Sequence, residues 1–117
     1  MKPIFFEKRE LVPHAEPVSA RDLKEGAIYF FVNFADDAML IPTMEPMVFV
    51  GRNLEINDVG LVYFQDLDSY HLGARHDSAD NESATFYAGP EDQTNHIFEY
   101  ECALEELMRC LLRRKKA

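Results

Sequence analysis

The residues best suited to chemistry lie in an acidic stretch between positions 66 and 82. This stretch combines carboxylates with two imidazoles, the ligand types of zinc, manganese and iron sites: Asp66, Asp68, His71, His76, Asp77, Asp80 and Glu82. Their spacing matches neither an EF-hand loop nor a His-Glu-x-x-His helix. Residues 76–83 also lack apolar periodicity, which indicates a polar surface loop. We therefore predict no metal site in this stretch.

No motif for nucleophilic catalysis or phosphate binding is present in the sequence. It has no Gly-x-Ser-x-Gly elbow, and its five glycines stand singly rather than in a P-loop or a dinucleotide fingerprint. Cys102 and Cys110 fall on or beside the apolar stripe of a predicted helix, where a thiol contributes packing. A pairing of Cys102 with His96 stays open. We predict no catalytic residue and no cofactor, which favours a non-enzymatic protein.

The cysteines and the N-terminal residues also bear on the cellular compartment. Eight residues of helix separate the Cα atoms of Cys102 and Cys110 by roughly 12 Å, too far for a disulfide bond. Near the N-terminus, Ile4, Phe5 and Phe6 are followed at once by a charge, so this apolar run is too short for a signal peptide or a membrane span. We expect a single domain, residues 1–117, in the reducing cytoplasm, with no membrane contact.

Charge is distributed unevenly along the chain, whose formal net charge is −9. Between positions 25 and 106, Arg52 and Arg75 stand against 17 acidic residues, whereas the last eleven residues carry five basic residues and no acidic one. A nucleic-acid binder needs a basic footprint, so we predict no nucleic-acid partner. An acidic surface can instead attract a basic protein. The simpler alternative is that the charge keeps the chain soluble.

The predicted strands are rich in β-branched and aromatic residues. They lie at Ala27–Phe34, Met47–Val50, Leu61–Phe64, Ala84–Ala88 and Ile97–Tyr100. The first of them is apolar on both faces, which indicates a central strand covered on both sides. An edge strand is predicted at Ile4–Val12, and a short helical turn after Ser19. Pro42 and Pro46 are interpreted as parts of a loop between the first two central strands.

A C-terminal helix is predicted from about Glu101 onward. Its apolar residues recur at helical spacing and form a leucine stripe that we expect to pack on the sheet: Leu104, Leu107, Met108, Leu111 and Leu112. Glu105 and Arg109 form a favourable i, i+4 pair. The predicted fold class is α+β: a small, strongly curved antiparallel sheet or SH3-like partly open barrel of about five strands, with the C-terminal amphipathic helix packed on it.

The favoured hypothesis is a non-enzymatic protein-interaction module, such as an adaptor, inhibitor or immunity-type protein, that docks a basic protein partner. Its acidic face is predicted to hold Asp66, Asp68, Tyr70, His71 and Asp77, with the tyrosine as anchor because it combines apolar area with a polar tip. The alternative is a small-ligand or metal-binding protein with a barrel-mouth pocket lined by histidines and aspartates. A homodimer through an apolar sheet face or helix is compatible with either hypothesis.

Overall fold

Six strands and two α-helices form the part of the chain that the computed structural model describes, residues 1–7 and 15–116. The strands are β1 (Ile4–Phe5), β2 (Ile28–Phe34), β3 (Pro42–Arg52), β4 (Leu61–Asp66), β5 (Phe86–Pro90) and β6 (Ile97–Phe98). The helices are α1 (Leu67–His71) and α2 (Tyr100–Lys116). A 3-10 turn at Ala20–Asp22 follows Ser19, as predicted, although the Ser19 side chain makes no capping hydrogen bond.

All six strands belong to one mixed sheet with the order β1-β5-β4-β3-β2-β6. β1 pairs with β5 in parallel, and the other neighbouring pairs are antiparallel. The predicted α+β class, with a mainly antiparallel sheet, is therefore confirmed.

The sheet differs from the predicted five-stranded barrel, because it has six strands and remains open. Its edge strands, β1 and β6, are two residues long and lie at opposite edges, so they offer too few backbone groups to close a barrel. Of the predicted edge strand Ile4–Val12, only Ile4–Phe5 is seen as a strand, and positions 8–12 lie outside the described residues.

β2 is covered on both faces, as its sequence indicates. Tyr29 and Phe31 belong to a buried cluster on one side of the sheet, which we call the aromatic face and which residues of the N-terminal segment cover. Val32 and Phe34 belong to a second cluster on the opposite side, which we call the helix face because α2 covers it. The sheet thus separates two apolar clusters.

β3 is longer than predicted and begins at Pro42 rather than Met47. Pro42 and Pro46 pair with Phe34 and Phe30 of β2, whereas β4 reaches only as far as Met47 on the other side. A proline on an unpaired strand edge removes no ladder hydrogen bond, so this part of β3 tolerates both prolines. The prediction of a loop at these prolines was wrong for this reason.

α2 packs on the helix face of the sheet, as predicted, but of the predicted leucine stripe only the partly buried Leu107 packs against the cluster there. Its buried residues are Ala103, Glu106 and Cys110. Four residues of the predicted stripe are instead between 39% and 68% exposed: Leu104, Met108, Leu111 and Leu112. The small side chains at 103 and 110 let the helix approach the sheet closely, and this contact decides which side of α2 faces inward.

Polar contacts fix the same orientation of α2. The fully buried Glu106 accepts a hydrogen bond from the Ala15 backbone N–H at 2.8 Å, and its second oxygen lies 3.4 Å from Arg113 Nη2. The predicted pair of Glu105 and Arg109 is present at 2.8 Å. In the described residues, no helix combines the length and the apolar character needed to cross a membrane.

Candidate functional site

Asp66 stands at the junction of β4 and α1 and fixes the geometry of the candidate site. Its carboxylate accepts hydrogen bonds from the Ser69 backbone N–H at 3.0 Å, from the Ser69 hydroxyl at 2.6 Å and from the Thr85 backbone N–H at 2.8 Å. Burial by itself raises the pKa of Asp66, but these hydrogen bonds outweigh burial and lower the pKa below its ordinary value. Asp66 is therefore a fixed negative charge.

The buried amide of Gln65 holds α1 and the following loop against the sheet. Its Nε2 donates to the Ser69 hydroxyl and to the Ala74 carbonyl, both at 2.9 Å. The Ala74 backbone N–H in turn donates to the Ser69 carbonyl at 3.1 Å. α1 was not predicted from the sequence, because a helix of five residues is stabilised by such tertiary contacts rather than by its own propensity.

A groove of about 250 Å³ lies at the end of β4, and we call it the acidic groove. Met47 of β3 pairs with Asp66, and Tyr87 of β5 pairs with Phe64, two residues earlier in β4. This register places their side chains on one side of the sheet, the aromatic face. The described residues that line the groove are Glu45, Pro46, Met47, Asp66, Leu67, Asp68, Thr85 and Tyr87.

Three carboxylates surround the acidic groove, and none of the described residues that line it is basic. Glu45 and Asp68 are exposed, whereas Asp66 is half-buried. Burial raises the pKa of the Tyr87 phenol, and the nearby negative charges of Glu45 and Asp66 raise it further. The groove is therefore acidic at its rim and apolar along its walls.

Tyr70 lies in a second groove, of about 270 Å³, and its own chain covers one face of its ring. The Arg75 guanidinium carbon lies 3.7 Å from the ring centroid. Arg75 Nη1 also donates to the carbonyls of Tyr70 at 2.9 Å and Ala74 at 2.7 Å. His76 and Asp77 line the same groove. The second groove thus has one basic side chain, Arg75, beside the carboxylates of Glu25 and Asp77, whereas no described residue that lines the acidic groove is basic.

The five predicted partner-binding residues are divided between these grooves. Asp66 and Asp68 line the acidic groove, Tyr70 and Asp77 line the second groove, and the exposed His71 lines neither. The division follows from α1, because residues two positions apart on a helix point to different sides. The role of each residue in binding stays a prediction.

Glu45 is the one carboxylate among the described residues of the acidic groove that was not predicted from the sequence as a site residue. It was assigned to the proline-bounded loop, but in β3 it pairs with Phe31 of β2 and so lies on the aromatic face. The signal was present in the alternation of Thr43, Glu45 and Met47, which share one side of an extended strand. Pro42 and Pro46 favoured a loop here and so hid the alternation.

His96 and the two cysteines give no sign of a metal or catalytic site. In residues 1–7 and 15–116, no group of three or more His, Cys, Asp or Glu side chains could hold a metal ion. The buried ring of His96 lies 5.3 Å from the rings of both Phe6 and Phe31, and burial lowers its pKa to about 4. Burial, followed by the charge of Glu105 and other glutamates, raises the pKa of Cys102. The pairing of Cys102 with His96 thus gains no chemical support, because a protonated thiol is a poor nucleophile.

No protein-family model, curated protein or solved structure matches this chain. The chemistry of the acidic groove follows from its own side chains: three carboxylates, apolar walls, and a fixed acceptor at Asp66. Such a groove can accept hydrogen bonds from a cationic group and pack against the alkyl chain that carries it.

Proposed function

We propose that this protein is a non-enzymatic interaction module that binds a basic protein partner and holds a lysine or arginine side chain of that partner in the acidic groove. The observation that carries this proposal is the set of three carboxylates, Glu45, Asp66 and Asp68, around a groove whose described lining residues include no cation. An adaptor, an inhibitor or an immunity-type protein would each use such a surface.

The alkyl chain and the charged end of a lysine or arginine side chain each match a part of the groove. Its alkyl chain can pack against Pro46, Met47 and Leu67, which form apolar walls. Its charged end can then reach the carboxylates, where hydrogen bonds between opposite charges are shorter and stronger than neutral ones. Neither a nucleic acid nor an acidic peptide offers this combination, because both would bring further negative charge to the groove.

The groove is partly organised before any partner arrives. Asp66 is held by three hydrogen bonds from Ser69 and Thr85, so little side-chain freedom is lost when it accepts another. Glu45 and Asp68 are exposed at the rim, where their charges act on an approaching partner through solvent. We therefore expect association to slow as salt screens these charges.

Two further parts of the hypothesis accompany this proposal. Tyr70, His71 and Asp77 would contact the partner at the margin of the interface, beyond the acidic groove. Cys102 and Cys110 are free thiols, which is compatible with the reducing cytoplasm as the place of action.

The test compares two groove variants with a matched surface variant. Tagged protein is exposed to its native lysate at low salt, bound protein is released by a salt gradient, and the affinity of the purified partner is then measured by calorimetry. We expect one stoichiometric basic partner, and a loss of affinity of about tenfold for Glu45→Lys and for Asp68→Lys, because each reverses a rim charge. Asp66 is left unchanged because its carboxylate also holds the fold together.

Asp92→Lys is the control, since it makes the same change in net charge at another exposed acidic residue. Asp92 follows the end of β5, where Pro90 pairs with Leu61 at the start of β4, so it lies at the opposite end of these strands from Asp66. Its affinity should stay within about twofold of the original. Equal losses in all three variants, unchanged affinity in both groove variants, or recovery of the chain without a basic partner would contradict the proposal.

A further inference from the structure

α2 carries an apolar stripe that residues 1–7 and 15–116 leave exposed, and we call it the outer stripe. Its members follow one another at helical spacing: Tyr100, Leu104, Met108, Leu111 and Leu112. The side of α2 that packs on the sheet uses Ala103, Glu106 and Cys110 instead. Single exposed apolar residues are ordinary, but a continuous exposed stripe along a helix is typical of an interaction surface.

Charged residues at the two ends of α2 lie on the same side as the outer stripe. Glu101 lies seven residues before Met108, and Lys115 lies seven residues after it. Seven residues are close to two turns of an α-helix, so these three side chains share one side. The outer stripe therefore has an acid at its N-terminal end and a base at its C-terminal end, with Met108 midway between them.

This arrangement is complementary to itself when reversed. If two α2 helices lie antiparallel and cross at Met108, Glu101 of each copy faces Lys115 of the other. In the same register Leu104 faces Leu112, four residues to either side of Met108, so apolar residues also meet. A parallel pair would bring acid against acid and base against base. A two-fold axis requires such self-complementarity, because the same patch serves both copies.

We infer that a second copy of this chain covers the outer stripe, in a two-fold symmetric dimer whose α2 helices run antiparallel and cross at Met108. Antiparallel pairing also places the negative end of each helix dipole beside the positive end of the other. The dimer uses the side of the protein that bears α2, whereas the acidic groove lies on the aromatic face. This inference therefore stands independently of the proposed function.

The first test measures the mass of the full chain by sedimentation equilibrium over a wide range of concentration. We expect a reversible dimer, and a dissociation constant raised about tenfold or more by Met108→Asp, which places a charge at the centre of the interface. Ile56→Asp is the matched control, because Ile56 is also apolar and is 91% exposed away from α2. It should leave the dimer unchanged, and thermal unfolding of dilute samples should show both variants folded.

The second test exchanges the end charges. Glu101→Lys and Lys115→Glu should each weaken the dimer, because like charges then meet at both ends of the helix pair. The double variant should restore it, because the opposite charges have only exchanged places. Restoration cannot come from a more stable helix, since both substitutions oppose the helix dipole. A double variant weaker than both single variants would overturn the antiparallel register.

The third test uses disulfide formation in a Cys102→Ser background. Met108→Cys should give a covalent dimer on mild oxidation, because the two copies of this residue meet at the two-fold axis. Leu104→Cys should not, because its counterpart lies opposite position 112, and eight residues of helix span roughly 12 Å, beyond the reach of a disulfide bond. Equal cross-linking at both positions would indicate parallel helices. A mass that stays monomeric at every concentration would overturn the inference altogether.

Discussion

At the scale of single residues, Asp66 belongs both to the fold and to the acidic groove. It is the last residue of β4, and its carboxylate caps α1 and accepts a hydrogen bond from the Thr85 backbone N–H. The same side chain lines the groove. These structural contacts position the side chain accurately, but a substitution of Asp66 would change stability together with any proposed binding. Asp68, two residues later, is exposed and makes no cap, so its substitution can test binding alone.

Replacing Asp66 with alanine should lower the free energy of unfolding by about 2 kcal/mol, through the lost helix cap and the lost bond to Thr85. Urea unfolding at neutral pH measures this change. Asp68→Ala serves as the control and should change the free energy of unfolding by no more than about 0.5 kcal/mol. Similar losses for the two variants would show that the contacts of Asp66 do not stabilise the fold.

The buried His96 makes a prediction about acid stability. Its pKa is about 4 in the folded chain, because burial disfavours the charged ring, against 6.5 when unperturbed. The unfolded chain therefore takes up a proton first, and the free energy of unfolding should fall as pH decreases from about 6.5 to about 4, by about 3 kcal/mol. Below that range both states are protonated and this contribution stays constant. Urea unfolding at a series of pH values measures it.

His96→Phe provides the comparison, because it keeps an aromatic ring between Phe6 and Phe31. His96 Nδ1 has no hydrogen-bond partner in the described residues, so the substitution removes a titrating group at small structural cost. The loss of stability between pH 6.5 and 4 should be smaller by about the same 3 kcal/mol. His71→Gln is the matched control, because it removes an imidazole from an exposed position. If all three proteins respond alike, the buried imidazole is not the cause.

At the scale of elements, local composition predicted some parts well and tertiary contacts decided the rest. β2 and β4 were predicted because their apolar residues are enough to mark a buried strand. The first half of β3 was not predicted as a strand. It tolerates Pro42 and Pro46 only because β4 does not pair with β3 before Met47, and this fact lies outside the local sequence. β1 pairs with β5, more than 80 residues away in sequence, which no local pattern reveals.

The inward side of α2 shows most clearly why periodicity alone was insufficient. Periodicity predicts the largest apolar residues of α2 in the core, although two small residues and one glutamate occupy its fully buried positions. Ala103 and Cys110 allow close packing, and Glu106 meets the backbone of Ala15. The leucine pattern correctly predicted a helix but not its rotation about its own axis.

This rotation can be tested by exchanging the sizes of side chains on α2. Ala103→Leu should lower the free energy of unfolding by about 2 kcal/mol or more, because the fully buried position has no room for three further carbons. Leu112→Ala, at an exposed position, should change it by less than about 0.5 kcal/mol in dilute samples. The opposite ranking would mean that the leucine stripe faces the sheet. Urea unfolding of both variants decides between these orientations.

The same limits applied to the candidate site. The acidic stretch was recognised from composition, but α1 divides its residues between two grooves, because Asp68 and Tyr70 point to different sides. Glu45 lines the acidic groove because of its position on β3, although it lies about 20 residues before the acidic stretch in sequence. Which carboxylates share one groove is a property of strand register, and the register depends on the whole sheet.

At the scale of the whole molecule, the sheet keeps the two proposed surfaces apart. The acidic groove lies on the aromatic face near β4 and β5, and α2 lies on the helix face against β2 and β6. Contact at one surface therefore leaves the other accessible. The open sheet makes this possible, because elements can pack on both of its faces, whereas closure into a barrel would turn one face inward.

The placement of α2 opposite the groove has a consequence for valency. Two chains joined through their helices would present two acidic grooves, each on the side away from the junction. After one basic segment of a partner binds one groove, a second, suitably spaced segment would bind the other groove at a raised effective concentration. Release of the partner would then require both segments to dissociate. Weak individual contacts of salt-sensitive charges could in this way give long-lived attachment to a repeated or clustered target.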